Sequence, residues 1–197
     1  MRSYSLDFRH MANSIEHIEQ HLNVVQSLKN ISPAIDQAFQ LIQASLSAGG
    51  KILICGNGGS AADAQHFAAE LVGRFETTRP GLAALSLSTD TSNLTAIAND
   101  FGFEHVFSRQ VEAIGKAEDC LVALSTSGNS KNVLKAVASA NAMGMKTIGL
   151  LGNNGGQLLQ SCHHAMVVPS VSTARIQECH ILIIHILCAL VDQRFTP

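Results

Sequence analysis

Five short apolar runs, each separated from the next by enough residues for a helix, constrain this chain more than any other feature. They are Lys51 to Cys55, Leu82 to Leu87, Cys120 to Leu124, Thr147 to Leu151 and Ala165 to Val168. Runs this short and this continuous suit strands covered on both faces. A parallel pair of strands needs a long crossover connection, and a helix supplies it. Helices are therefore expected at about Ser60 to Phe75, Ser92 to Asn99, Ser130 to Met143 and Gly156 to Ser161, with a last one over Thr173 to Phe195. The architecture that follows is α/β: a three-layer α/β/α sandwich around a parallel sheet, with ligands outside the carboxyl ends of the strands.

Two helices precede the first strand. Phe8, Met11, Ile15, Ile18, Leu22 and Val25 recur every three or four residues, as one face of a helix from about Ser5 to Leu28 requires. Ser32 and Pro33 supply an N-cap and a first-turn proline for the second, running to about Ser47. The last helix is apolar around most of its circumference, which calls for burial in the domain or in a subunit interface.

With 197 residues, 46% hydrophobic and 14% charged, the chain has the material for one well-filled core. A single domain over 1–197 is expected, with 1–48 a helical pair used in packing and assembly and 49–197 the α/β core and final helix. A formal charge of -2 gives no electrostatic footprint for nucleic acid or an anionic membrane. The apolar stretch Ile181 to Val191 contains His185 and is too short to span a bilayer, and no basic leader opens the sequence. A cytoplasmic protein without a membrane partner is expected. Cys55, Cys120, Cys162, Cys179 and Cys188 are odd in number and lack paired metal spacing, so reduced thiols are expected.

Two turns carry the chemistry. Gly56-Asn57-Gly58-Gly59-Ser60 follows the first strand, and His66 and Glu70 lie four residues apart on the helix it opens, hence on one face. The turn has no Lys after its glycines and is not a full dinucleotide fingerprint, so it is neither a Walker loop nor a clear nucleotide site. Ser125-Thr126-Ser127-Gly128-Asn129-Ser130 follows another strand and opens a helix, where hydroxyls, free N–H groups and the helix amino terminus can converge on a phosphate. Plainer readings stand beside these. Ser, Gly and Asn also make ordinary turns, Glu70 could pair with Arg74 on a helix surface, and Asn99-Asp100 could simply end a helix.

Several separated motifs resemble the sugar isomerase (SIS) domain family: CGNGGSAADAQHFAAELVGRF, AIANDFGFEHVFSRQ, STSGNS and RIQECHILIIHIL. The resemblance spans nearly the whole chain. It implies a five-stranded parallel sheet, a homotetramer with active sites at subunit interfaces, and a bound zinc ion. It also implies conversion of sedoheptulose 7-phosphate to D-glycero-D-manno-heptose 7-phosphate for lipopolysaccharide core heptose. Matching positions imply substrate contacts at Asn57, Gly58, Gly59, Ser60, Glu70, Asn99, Asp100, Ser125, Thr126, Ser127, Ser130 and Gln177. They imply metal ligation by His66, Glu70, Gln177 and His185, and acid/base roles for Glu70 and His185. Ala174 stands where some relatives carry Asp, so one polar contact is missing here.

A ketose-to-aldose conversion needs two positioned acid/base groups, which a carboxylate and an imidazole supply. His180 rivals His185, since it is three residues from Gln177 and closer to it in helical angle; the resemblance favours His185. His163 and His164 read as structural. Gln177 and His185 are eight residues apart, about 12 Å along a straight helix, so one ion should not receive both from one chain. The alternative function is a non-catalytic tetramer of the same fold that binds a replication initiator protein. A DNA-reading sugar-phosphate sensor would need a recognition helix and basic charge that the first 50 residues lack.

Overall fold

The computed structural model describes residues 13–197. Two helices, α1 (Ser14–Ser27) and α2 (Ser32–Ser47), are joined by a 3₁₀ turn at Leu28–Ile31. The part of the expected first helix before Asn13 lies outside the described residues. Asn13 caps α1 by accepting from the Glu16 N–H at 3.0 Å. The expected cap at Ser32 is displaced: Ser32 is itself helical, and the preceding residue Ile31 has no hydroxyl to offer.

The core then alternates β1 (Ile52–Cys55), α3 (Gly59–Val72), β2 (Ala84–Ser86), α4 (Thr91–Phe101), α5 (Ser108–Ile114), β3 (Cys120–Ser125), α6 (Lys131–Ala142), β4 (Lys146–Leu151), α7 (Leu158–Ser161), β5 (His164–Val167) and α8 (Thr173–Phe195). The five strands form one parallel sheet in the order β2-β1-β3-β4-β5. Strand alternation divides the core into two layers. Ile52, Ile54, Val122, Leu124, Ile148 and Leu150 pack against α2, α3 and α8; Leu53, Leu121 and Ala123 meet α5 and α6 on the opposite face. The five-stranded α/β/α sandwich is therefore present.

Three local expectations change. The second strand is only three residues long, α7 is a single turn, and α5 occupies a segment where no helix was expected. α5 buries Val111 in the second layer, and Gln110 beside it donates to the Leu87 and Val106 carbonyls at 2.9 and 2.7 Å. The whole of α8 is long and apolar enough to cross a membrane by length and composition, unlike the shorter run within it. Here it is a core helix: Ile176, Cys179, Ile183, Ile184, Leu187, Cys188 and Val191 are buried in the first layer.

Candidate active site

The chain leaves β1 for β2 on one side of the sheet and leaves β3 for β4 on the other, so adjacent strands β1 and β3 form the point where the winding reverses. The turns after such a pair diverge and leave a crevice between them. Asn57 from the first turn and Asn132 from the start of α6 close its floor with reciprocal amide bonds of 2.9 and 2.8 Å. Asn132 is buried, and its pairing fixes one polar turn against the other.

The second turn is tightly built. Gly128 has φ +67, and a Cβ there would stand 2.0 Å from the Gly155 carbonyl oxygen. No other residue fits without moving backbone. The Gly128 N–H donates to Ser125 Oγ at 3.1 Å, Ser125 and Ser130 hydroxyls lie 3.0 Å apart, and the Asn129 N–H donates to Ser127 Oγ at 3.2 Å. Asn153 buttresses the turn by donating to the Thr126 carbonyl at 2.8 Å. Ser130 is the N-cap residue of α6 yet makes no capping bond. A cluster of hydroxyls at an uncapped helix amino terminus is a place for an oxyanion.

Helix α3 begins at this crevice and runs beside α8. At its start, a Cβ on Gly59 would lie 2.5 Å from Gln177 Nε2, so the Gln177 amide rests directly on the glycine turn. Two turns later, His66 Nε2 lies 3.0 Å from Glu70 Oε1 and 3.2 Å from His185 Nε2. Phe75 stacks on His185, with ring centroids 5.4 Å apart and planes 26° from parallel. His66 Nε2 carries either one hydrogen or one lone pair, so it satisfies only one of its two neighbours at a time. Two imidazoles and a carboxylate are the kinds of donor that open zinc sites use. Among the described residues no three His, Cys, Asp or Glu side chains are arranged to hold an ion as they stand, however; Glu70 and His185 meet through His66.

The structure thus brings together His66, Glu70 and His185, and separately Asn57, Gly58, Gly59 and Gln177. As the eight-residue spacing required, Gln177 and His185 occupy different levels of α8. Ser60 is buried under the first turn. Asn99 and Asp100 sit exposed in the last turn of α4, bonded to each other at 2.8 Å, and Asp100 lines a cavity of its own with Arg109 and Asp90. They therefore close α4, which ends at Phe101, as the plainer reading expected. The rival His180 is excluded from the trio: it is fully buried, its Nε2 donates to the Leu151 carbonyl at 3.1 Å, and burial pulls its pKa down to about 4. Glu70 faces His66 rather than pairing with Arg74, whose guanidinium donates to the Phe75 carbonyl. His163 pairs with Thr147 and His164 with the Ala34 carbonyl, both structural. All five cysteines are free, with thiols pushed up by burial.

Asp63 went unnoticed in the sequence. It lies on α3 between Gly59 and His66, its Oδ2 is buried without a partner, and burial pushes its carboxyl up to about 6, with His66 pulling the other way. Its spacing of three from His66 and seven from Glu70 puts it on their face, a signal that was available.

Comparison with known proteins gives this fold a family. The SIS domain family model matches residues 16–152. A phosphoheptose isomerase of Helicobacter pylori (strain P12) is 58% identical over 170 residues, covering 86% of this chain and 88% of that protein. One from Campylobacter jejuni is 54% identical over 177 residues, covering 90% and 95%. The solved phosphoheptose isomerase of Neisseria gonorrhoeae superposes with a TM-score of 0.86 at 48% identity, over 91% of this chain and 96% of that one. The chain belongs to the SIS domain family. Within it, its kin are the phosphoheptose isomerases, which makes it a sugar-phosphate isomerase.

Proposed function

We propose that the chain converts sedoheptulose 7-phosphate to D-glycero-D-manno-heptose 7-phosphate, supplying the heptose of lipopolysaccharide core. The observation that carries this reading is the meeting of Glu70 and His185 through His66, on helices that also present Gln177 and the glycine turn. Glu70 Oε1 is held by His66, which leaves Oε2 to take the proton from C1 of the ketose. The freed electron pair forms the C1–C2 double bond as the C2 oxygen gains a proton, giving the enediol. Returning a proton to C2 while the C1 oxygen gives one up produces the aldehyde. His185 Nε2 is the group suited to moving protons between the oxygens, since imidazole exchanges protons near neutrality.

The donor types support zinc held by His66, Glu70 and His185 once the three close around an ion, with a Gln177 from a second copy as a further ligand. Bound there, zinc would stabilise negative charge on the substrate oxygens. Glu70 lies eleven residues beyond Gly59, about 16 Å along α3 and away from the phosphate turn. From C1, where Glu70 acts, to phosphorus the substrate spans eight bonds, roughly 10 Å when extended. A phosphate gripped by one chain's Ser125 to Ser130 turn therefore falls short of the same chain's Glu70. We infer that a working site combines two copies in a homotetramer. Five free, largely buried thiols support a cytoplasmic location. A non-catalytic role with a replication initiator draws no support from relatives named as isomerases at 58% and 54% identity.

The test incubates zinc-loaded protein with sedoheptulose 7-phosphate and follows the aldose by NMR, with unphosphorylated sedoheptulose as control. Absence of aldose from the phosphorylated ketose would sink the reading.

A further inference from the structure

Arg79 and Asp192 form a buried ion pair that ties together the segments carrying the acid/base trio. The Arg79 side chain is fully buried and its Nε donates to Asp192 Oδ1 at 2.7 Å. Its terminal nitrogens donate to the main-chain carbonyls of Glu70 at 2.8 Å and Leu71 at 2.9 Å. Those carbonyls belong to the last turn of α3, beyond the reach of helical N–H groups; Leu71 also accepts the Leu82 N–H at 2.9 Å, so it is the Glu70 carbonyl that depends on the guanidinium. The guanidinium therefore holds the very residue that carries the base, by its backbone.

Asp192 completes the knot from the other helix. It lies on α8, seven residues after His185 and so on nearly the same face. Its Oδ2 accepts the N–H groups of Glu76 and Thr77, both at 2.8 Å. Fixing those two residues fixes their neighbour Phe75, whose ring lies on His185. Replacing a buried pair by apolar side chains often costs a protein nothing, so stability alone is a weak reason for this one.

We propose that Arg79 and Asp192 are positioning residues for the isomerisation, setting Glu70 through its carbonyl and His185 through Phe75. This rests on the isomerase reading of the trio. Neither residue touches substrate. Misplacing a reacting group by about 1 Å costs on the order of a hundredfold in rate.

The test uses the intact, metal-loaded protein. Arg79→Lys keeps the charge but loses the planar fork; Asp192→Asn keeps the shape but loses the charge. Each should lower kcat about ten- to a hundredfold while KM stays within about twofold, because the phosphate turn is untouched. The double variant should be no worse than the poorer single one, as expected of a unit. Asp119→Asn is the control, since it weakens a different ion pair, Lys51–Asp119, whose side chains share no hydrogen bond with the trio or with Arg79 and Asp192. It should lower the melting temperature with kcat unchanged. A second readout needs no turnover: the His185 ring signal in a proton–carbon NMR spectrum, assigned with His185→Asn, should lose its Phe75 ring-current shift in Asp192→Asn and keep it in Asp119→Asn. Wild-type kcat in Arg79→Lys and Asp192→Asn at lowered melting temperature overturns the proposal, as does an unmoved His185 signal in Asp192→Asn. An inactive wild-type protein overturns the isomerase reading instead, and the NMR signal still decides whether the pair holds Phe75.

Discussion

Replacing Gly59 by alanine separates the role of Gln177 from the integrity of the fold. The added Cβ would lie 2.5 Å from Gln177 Nε2 and 2.8 Å from both Cδ and Oε1. Ordinary contact needs about 0.9 Å more, and the obstructing atoms are the end of a flexible side chain rather than backbone. Gln177 therefore swings away and α3 stays in place. The rotamer change costs about 0.5–1.5 kcal/mol. Alanine is a better helix former than glycine by up to about 1 kcal/mol, so the two nearly cancel and stability moves by less than about 1 kcal/mol.

The consequence for catalysis is larger. If Gln177 works at the reacting end of the substrate, its displacement should lower kcat by about a hundredfold. Steady-state isomerisation and urea unfolding, run on the same preparation, read the two effects separately. The double variant Gly59→Ala with Gln177→Ala should be no slower than Gln177→Ala alone, since the glycine acts through the amide. Wild-type kcat in Gly59→Ala with an intact α3 would refute the reasoning, and so would fully multiplicative losses in the double variant.

Glu70→Gln should lose about a hundred- to ten-thousandfold in rate with assembly unchanged by light scattering, and near-normal turnover removes Glu70 from the mechanism. Ser130→Ala should weaken a sugar phosphate by about 1–3 kcal/mol in calorimetry and leave the dephosphorylated sugar alone; equal weakening would make Ser130 a turn-former only. Asp63, whose carboxyl burial raises to about 6 from an unfolded value near 3.9, favours the fold most below pH 4 and loses that contribution as pH rises to 6. Asp63→Asn should therefore gain in urea midpoint relative to wild type between pH 4 and 6.5, and a pH-independent difference would contradict the burial argument. Mixed, reassembled oligomers of Gln177→Ala and His185→Asn should recover activity, whereas Glu70→Gln with His185→Asn should not, because Glu70 and His185 meet within one chain.

The sheet was legible because buried parallel strands leave continuous apolar runs, and each crossover leaves a helix-length gap. α5 was not: its seven residues span two turns, too few for a 3.6-residue period to stand out. At the site, His66 and Glu70 were readable as neighbours on one helix. His185 was not, since an imidazole inside an apolar helix looks like any satisfied core histidine, and only the resemblance singled it out. Arg79 and Asp192 are 113 residues apart, and Asn57 and Asn132 are 75 apart. Spacing along a chain carries no trace of such partners, because their contact depends on how α3, α6 and α8 lie against the sheet.

That placement also explains why this fold should act as an assembly. Helices that follow parallel strands must run back toward the strands' amino ends, so α3 begins at the glycine turn, on the edge of the crevice it shares with the phosphate turn, and carries Glu70 away from both. α8 contacts the start of α3 through Gln177 and its later turn through His185, so it descends in step. Gln177 and the glycine turn, on the crevice that holds the anion grip, and the acid/base trio are therefore held at different levels of the same two helices, by the same connectivity that builds the sheet. No side-chain rotation closes a gap of about 16 Å along α3. A second copy that brings its trio to the first copy's phosphate turn closes it without distorting either chain. In the proposed two-copy site, exposed Ile15, Ile18 and Leu22 on α1 would give the chain an apolar face with which to associate.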